Sequence, residues 1–421
     1  MKEKNKRDII NRIYNKDARN ILDILDKNVR IKSTITSPPY FDMKDYGSEN
    51  QIGFGQNYVE YLEDLKLIFK NIFTITDDDG SLWIIIDSFK RDNQVVTLPF
   101  DLSNKLKEIG WLLQDIIIWK KDKTVPWSKN GFVQRKFEYI LFFTKSKNFK
   151  YNKDKVRNYN TDQLKKWWIK YPERYNPKGK SLDEIWEFPI PVQGSWGDKY
   201  IRHFCPLPKE MVATMIEIST DKNDIVLDPF AGSGSVPFQS AIMERNFIGF
   251  ELNSEYITMF EDYLKENKSK SEKEFKKLSD LTDQENFKNQ ILNLRALKFG
   301  RLLLNEIEKK FKIETKVFVQ IREYFNDEKT HILVEYQFLN INEKEKENIL
   351  NFINTITSKA PFSKFGIKHI IKFPKRKNLD MNNYYSYTKT NSYSYSKFYP
   401  KDNKAKVVSE ICVNLDEKDY S

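Results

Sequence analysis

Two widely separated stretches hold residue types that could act together on a substrate. The first is Thr36-Ser37-Pro38-Pro39-Tyr40, which follows an apolar run from Val29 to Ile35. Two consecutive prolines fix φ twice and remove two amide donors, so a strand must stop there in a stiff turn whose carbonyls remain acceptors. Ser37 adds a hydroxyl acceptor, and Tyr40 adds an aromatic face with a polar tip. Such a cluster suits a planar base with an exocyclic amino group: the acceptors hold the NH2 and the ring stacks on the base. Taken alone, the same residues also describe an ordinary strand-ending turn. The second stretch is Asp228-Pro229-Phe230-Ala231-Gly232-Ser233-Gly234, where an apolar strand from Ile225 ends at an acid and a glycine-rich turn leads into a helical pattern. Glycines there let the backbone turn tightly and approach a ligand. A further strand, Phe247 to Phe250, ends at Glu251, roughly 20 residues past the turn, where such folds place a carboxylate on ribose hydroxyls. A pyrophosphate-binding turn would want a third glycine where Pro237 stands. An adenosine ligand without pyrophosphate fits better, and S-adenosyl-L-methionine is one.

Together the two stretches resemble the amino-methyltransferases of DNA, which methylate the exocyclic nitrogen of cytosine or adenine. Ser37-Pro38-Pro39-Tyr40 looks like their catalytic tetrad and Asp228 to Gly234 like their cofactor loop; the order, tetrad first, is that of the family's beta group. The resemblance runs over residues 8 to 265. It implies an α/β fold, a Rossmann-like seven-stranded methyltransferase sheet with circularly permuted motif order. It implies S-adenosyl-L-methionine as cofactor, no metal, and double-stranded DNA as partner. A cognate restriction endonuclease and a second copy of the chain are further candidate partners, and the expected location is the cytoplasm of a bacterium, at the nucleoid. The cofactor set carried over is Thr36, Asp228, Pro229, Phe230, Ala231, Gly232, Ser233, Gly234 and Glu251, with two ambiguous members. Asp17 either reaches the cofactor or caps a helix over Ala18 to Leu25, because Lys16 stands where relatives often have glycine. His203 either faces the cofactor or caps the helix expected from Lys209 to Ile218.

Serine at the first tetrad position favours cytosine N4 within that family; adenine N6 is the alternative. Methylation at cytosine carbon 5 needs an attacking cysteine, normally after proline, and neither Cys205 nor Cys412 follows one. An RNA methyltransferase or a catalytically silent DNA-binding protein are the rivals from other classes.

Alternating strands and helices must position these residues. Strands are expected over Ser81 to Asp87, Trp111 to Trp119 and Tyr139 to Thr144, and helices over Tyr58 to Phe73 and Phe100 to Ile109, with Asp77-Asp78-Asp79-Gly80 ending the first. Asp42 to Gly53 is polar, lacks periodicity and reads as a loop, which the resemblance places over the cofactor and the base. From Lys145 to Lys180 basic and aromatic residues interleave. Lys147, Lys150, Lys153, Lys155, Arg157, Lys165, Lys166, Trp167 and Trp168 are candidates for neutralising phosphates and stacking on bases. The expected organisation is a catalytic domain over residues 1–265 with a target-recognition insertion at about 145–185, a charged linker at 266–283, and a small α+β domain at 284–421. The net charge of +11 accords with a polyanionic partner. No run of about eighteen apolar residues is present. The two cysteines supply neither a disulfide framework nor a metal cluster, which points to a reducing compartment.

Overall fold

The computed structural model describes residues 9–25, 29–45, 50–122, 133–159, 174–191 and 206–278, and beyond these the elements named below with scattered helical residues between 284 and 311. The chain divides into two compact units, Met1–Val156 with Ser181–Asp280, and Arg157–Lys180 with Leu281–Ser421.

The first unit is built on an eight-stranded sheet. Its strands are β1 (Arg12–Asn15), β2 (Ile31–Thr36), β3 (Thr76–Ile86), β6 (Leu112–Lys120), β7 (Phe137–Thr144), β8 (Ile185–Glu187), β9 (Ile225–Asp228) and β10 (Asn246–Glu251), in the order β1-β10-β9-β2-β3-β7-β6-β8. A separate hairpin, β4 (Phe89–Arg91) and β5 (Gln94–Val96), follows β3. Every neighbouring pair in the large sheet is parallel except those made by β7, which runs antiparallel between β3 and β6. Six of these strands fall on the stretches named above, and β1 brings the number to the expected seven. The eighth, β8, is a three-residue edge strand that begins where the expected recognition insertion ends; Trp186 is buried there and anchors it beside Trp119.

Side-chain alternation sorts the core into two layers. Leu82, Ile84 and Ile86 of β3 face α1 (Tyr58–Ile75) and α2 (Leu98–Ile109), whereas Trp83 and Ile85 face α3 (Lys209–Ser219) and α4 (Ser235–Ile242). Helix α1 begins in a capping box of Asn57 and Glu60. It ends at Ile75, and β3 starts at the next residue, so the acidic run Asp77-Asp78-Asp79-Gly80 is strand rather than helix stop. Two physical reasons hold it there. Lys32 on β2 pairs with Asp77 at 2.7 Å and Asp79 at 2.6 Å. At Gly80 an added Cβ would lie 2.6 Å from Thr76 Cγ2, so only glycine fits the local irregularity. The charged run after 265, expected as a linker, is helical as far as Leu278, within the continuous helix α5 (Ser254–Leu278).

The second unit holds a four-stranded sheet in the order β13-β12-β11-β14: β11 (Thr315–Tyr324), β12 (Thr330–Phe338), β13 (Ile367–Lys372) and β14 (Ala405–Val413). Strands β11 and β12 form an antiparallel hairpin, and α6 (Glu343–Thr357) forms the crossover to the parallel strand β13. Residues 157–180, assigned from sequence to the catalytic domain, group with this unit.

Candidate active site

Every parallel strand of the large sheet delivers its carboxyl end to one edge, where α/β sheets bind ligands. Residues following β1, β2, β9 and β10, the end of β6 and the start of antiparallel β7 line one cavity of about 540 Å³ there, within the usual roughly 300–1,000 Å³ of a ligand site. Ser37, Pro38, Pro39 and Tyr40 form one wall, and Asp228 to Ser233 with Glu251 form another. Met43, Lys44, Gln51 and Ile52 of the expected loop also reach it. The two motifs, 192 residues apart, are joined directly: Thr36 Oγ1 donates to Asp228 Oδ1 at 2.7 Å.

The cofactor half is prepared by backbone donors. The Phe230 amide donates to Asp228 Oδ1 at 3.1 Å, yet burial pushes the Asp228 carboxyl up to about 7. The amides of Gly232 and Asn253 donate to the two oxygens of Glu251, each at 2.8 Å. Burial raises the Glu251 pKa, and these bonds offset part of the rise. Gly234 has φ of 84° and packs so closely that a Cβ would lie 2.2 Å from the Phe260 ring. The Ser233 hydroxyl, in a residue that lines the cavity, is buried with no hydrogen-bond partner among the described residues. A buried orphan hydroxyl, a paired carboxylate set and a tight glycine turn fit a ligand with ribose hydroxyls and a polar amino-acid end. The residues present therefore fit S-adenosyl-L-methionine.

The tetrad half is fixed by contacts that the sequence did not announce. Tyr61 on α1 donates to the Pro39 carbonyl at 2.6 Å, so that acceptor is occupied. Among the described residues no donor reaches the Pro38 carbonyl. Tyr40 donates to Glu138 Oε2 at 2.8 Å, with Ser37 Oγ 3.4 Å from the same hydroxyl. Glu138 Oε1 accepts from the Lys121 ammonium. Burial, and then the Glu138 charge, holds the Tyr40 phenol well above its ordinary pKa. Asp87, at the end of β3, pairs with Arg135 at 2.7 Å, and burial raises its carboxyl. The signal for Glu138 was legible in principle: a single acid opens an otherwise apolar and aromatic strand, Phe137 to Phe143.

Asp17 lies at the cavity but is engaged: it accepts from the Arg19 amide, capping the short 3-10 turn Ala18–Asp23, and pairs with the Arg19 guanidinium at 2.6 Å. Both sequence readings of Asp17 therefore have a counterpart in its position. His203, Lys165, Lys166, Trp167 and Trp168 lie outside the described residues. The remaining basic candidates do not join the cavity. Antiparallel β7 carries the chain roughly 25 Å along the sheet, so Lys147, Lys150, Lys153 and Lys155 emerge at the opposite edge. Lys150 pairs there with Asp221 at 2.5 Å and Asp224 at 3.2 Å, and Lys155 with Asp221 at 2.8 Å. Arg157 belongs to the second unit and donates to the Gly179 carbonyl at 3.0 Å.

Comparison with known proteins fits this geometry. Residues 31–262 match the model of the N6/N4 family described as "DNA methylase". The chain is 28% identical over 283 residues to the type II methyltransferase M.XycI of Xanthomonas campestris pv. cyanopsidis, covering 60% of this chain and 87% of that protein. It is 30% identical over 269 residues to the type II methyltransferase M1.MboII of Moraxella bovis, covering 59% and 94%. Among solved structures, the PvuII DNA methyltransferase (cytosine-N4-specific) aligns with a TM-score of 0.48 at 19% identity, over 67% of this chain and 92% of that one. The family match spans more than half of the chain and contains the tetrad and the whole cofactor loop. The chain belongs to the N6/N4 DNA methylase family and is an S-adenosyl-L-methionine-dependent DNA methyltransferase.

Proposed function

We propose that the enzyme methylates the exocyclic N4 of a cytosine flipped out of duplex DNA, as the modification arm of a restriction–modification system. The observation that carries the reading is one cavity lined by Ser37, Pro38 and Tyr40 together with Asp228, Ser233 and Glu251. A base within the duplex presents only its edges, so chemistry on its amino nitrogen requires extrusion, at a cost of about a few kcal/mol. Tyr40 offsets part of that cost by stacking, and its hydroxyl is tied to Glu138, which sets the ring's orientation. Ser37 and the Pro38 carbonyl accept from the amino group and bias its nitrogen toward a pyramidal form. The lone pair then points across the cavity toward the glycine-rich wall. Asp228, Glu251, the Gly232 amide and the Ser233 hydroxyl would hold the cofactor, which supplies an electrophilic methyl group when bound. Positioning contributes most of the acceleration. The serine tetrad supports cytosine, and the type II relatives support the restriction context.

The test is transfer of labelled methyl from S-adenosyl-L-methionine to mixed-sequence duplex DNA, followed by nucleoside mass spectrometry. N4-methylcytosine is the expected product. N6-methyladenine would retain the site and overturn the choice of base, and label in RNA alone would overturn the substrate.

A further inference from the structure

An amino nitrogen that gains a methyl group acquires a fourth bond and a positive charge, so one N–H proton must leave. Ser37 meets that nitrogen first, but a neutral hydroxyl is too weak a base to keep a proton. It can accept one hydrogen bond and donate another. The onward path is present: Ser37 Oγ lies 3.4 Å from the Tyr40 hydroxyl, which donates to Glu138 Oε2 at 2.8 Å. The two Glu138 oxygens have separate duties, since Oε1 takes the Lys121 ammonium. The other carboxylates around the cavity are committed elsewhere. Asp228 accepts from Thr36 and the Phe230 amide, Glu251 from two amides, and Asp17 from Arg19. Asp87 is paired with Arg135.

We propose that Glu138 is the terminal acceptor of the proton lost by the target amino group, delivered through the hydroxyls of Ser37 and Tyr40. The inference rests on the methyl-transfer reading above. The nitrogen lone pair forms the new N–C bond, and the S–C bond breaks with its electron pair left on sulfur. One N–H proton passes to Ser37 Oγ as the Ser37 proton passes to the Tyr40 oxygen and the Tyr40 proton to Glu138 Oε2. The sulfonium loses its positive charge and Glu138 its negative one, so the site is balanced, with the Lys121 ammonium unchanged. Because its ionisation is suppressed, Tyr40 takes part as a neutral hydroxyl that exchanges one proton for another and never as a phenolate. A hydroxyl that accepts a hydrogen bond becomes a better donor. The long Ser37–Tyr40 contact is therefore expected to shorten when the amino group donates to Ser37, as catalytic contacts commonly do on substrate binding.

The variants Tyr40→Phe, which keeps the ring, and Glu138→Gln, which keeps the volume, test this in single-turnover methylation of duplex DNA. Each is expected to slow transfer by about 100-fold or more. The double variant should be no slower than the slower single one, because both cut the same path. DNA affinity and the fluorescence of 2-aminopurine at the target position should stay near wild type. A second readout needs no cofactor: the bridged Tyr40 hydroxyl proton should give a downfield NMR resonance that Tyr40→Phe deletes and Glu138→Gln shifts. A Glu138→Gln enzyme with wild-type transfer rate overturns the relay and leaves the methyltransferase reading intact, as do losses that multiply in the double variant. A wild-type enzyme that puts no methyl into DNA overturns the reading itself, and the relay with it.

Discussion

Asp228 is a carboxyl with two hydrogen-bond partners that nonetheless keeps its proton to about pH 7, because burial outweighs both bonds. Its folded pKa is raised above the ordinary 3.8, so between about pH 4 and 7 the folded state binds a proton that the unfolded state lacks. Folding stability contributed by this group is therefore present at the acid end and falls as pH rises across that window, then levels off. Asp228→Asn should flatten this slope, melting higher than wild type at pH 8 and about equally at pH 4.5, while losing affinity for S-adenosyl-L-methionine in calorimetry. Unchanged affinity would remove Asp228 from the cofactor site. Tyr40 allows the complementary separation. Aromatic stacking on a base is worth about 1–3 kcal/mol, so Tyr40→Ala should weaken capture of a flipped base by about 5- to 150-fold and leave cofactor binding near wild type. Equal loss of both would remove the stacking role.

Strands and helices with an apolar period were legible in the chain, because β2, β3, β7 and β10 must bury one or both faces, and apart from the start of β3 their edges fell within a few residues of the expected positions. The two stretches that meet at the cavity were legible as candidates because each joins a stiff or glycine-rich turn to residues with a definite chemical use. What the sequence hid was direction. Nothing in Phe137 to Thr144 announces that β7 runs antiparallel, and that one fact decides two assignments. It puts Glu138 at the catalytic edge, and it moves Lys147 to Lys155 to the other edge, beside the turn after α3. Periodicity is also blind to ion pairs between distant segments, which is why the acidic run opening β3 read as a helix stop. The Lys150 and Lys155 pairs are partly exposed and worth about 1 kcal/mol or less each. The variant Lys150→Ala with Lys155→Ala should accordingly lower the melting temperature slightly and leave the slope of log K against log salt for DNA unchanged. A shallower slope would return these lysines to the DNA interface.

Among the described residues, the lining of the cavity belongs to the first unit, between Lys16 and Asn253. Truncation after Asp280 should therefore preserve cofactor binding in calorimetry, whereas failure to bind would make the second unit part of the catalytic fold. The sheet itself sets an order of events. Among the described residues β1 pairs only with β10, and their flanking residues Asn11 and Asn246, which are hydrogen-bonded, lie 235 positions apart. At about 5–20 residues per second of synthesis, the first strand leaves the ribosome some tens of seconds before its neighbour exists. Nascent chains must carry β1 unpaired through that interval, so the newly made enzyme gains its cofactor site abruptly, once β9 and β10 have emerged, rather than by degrees.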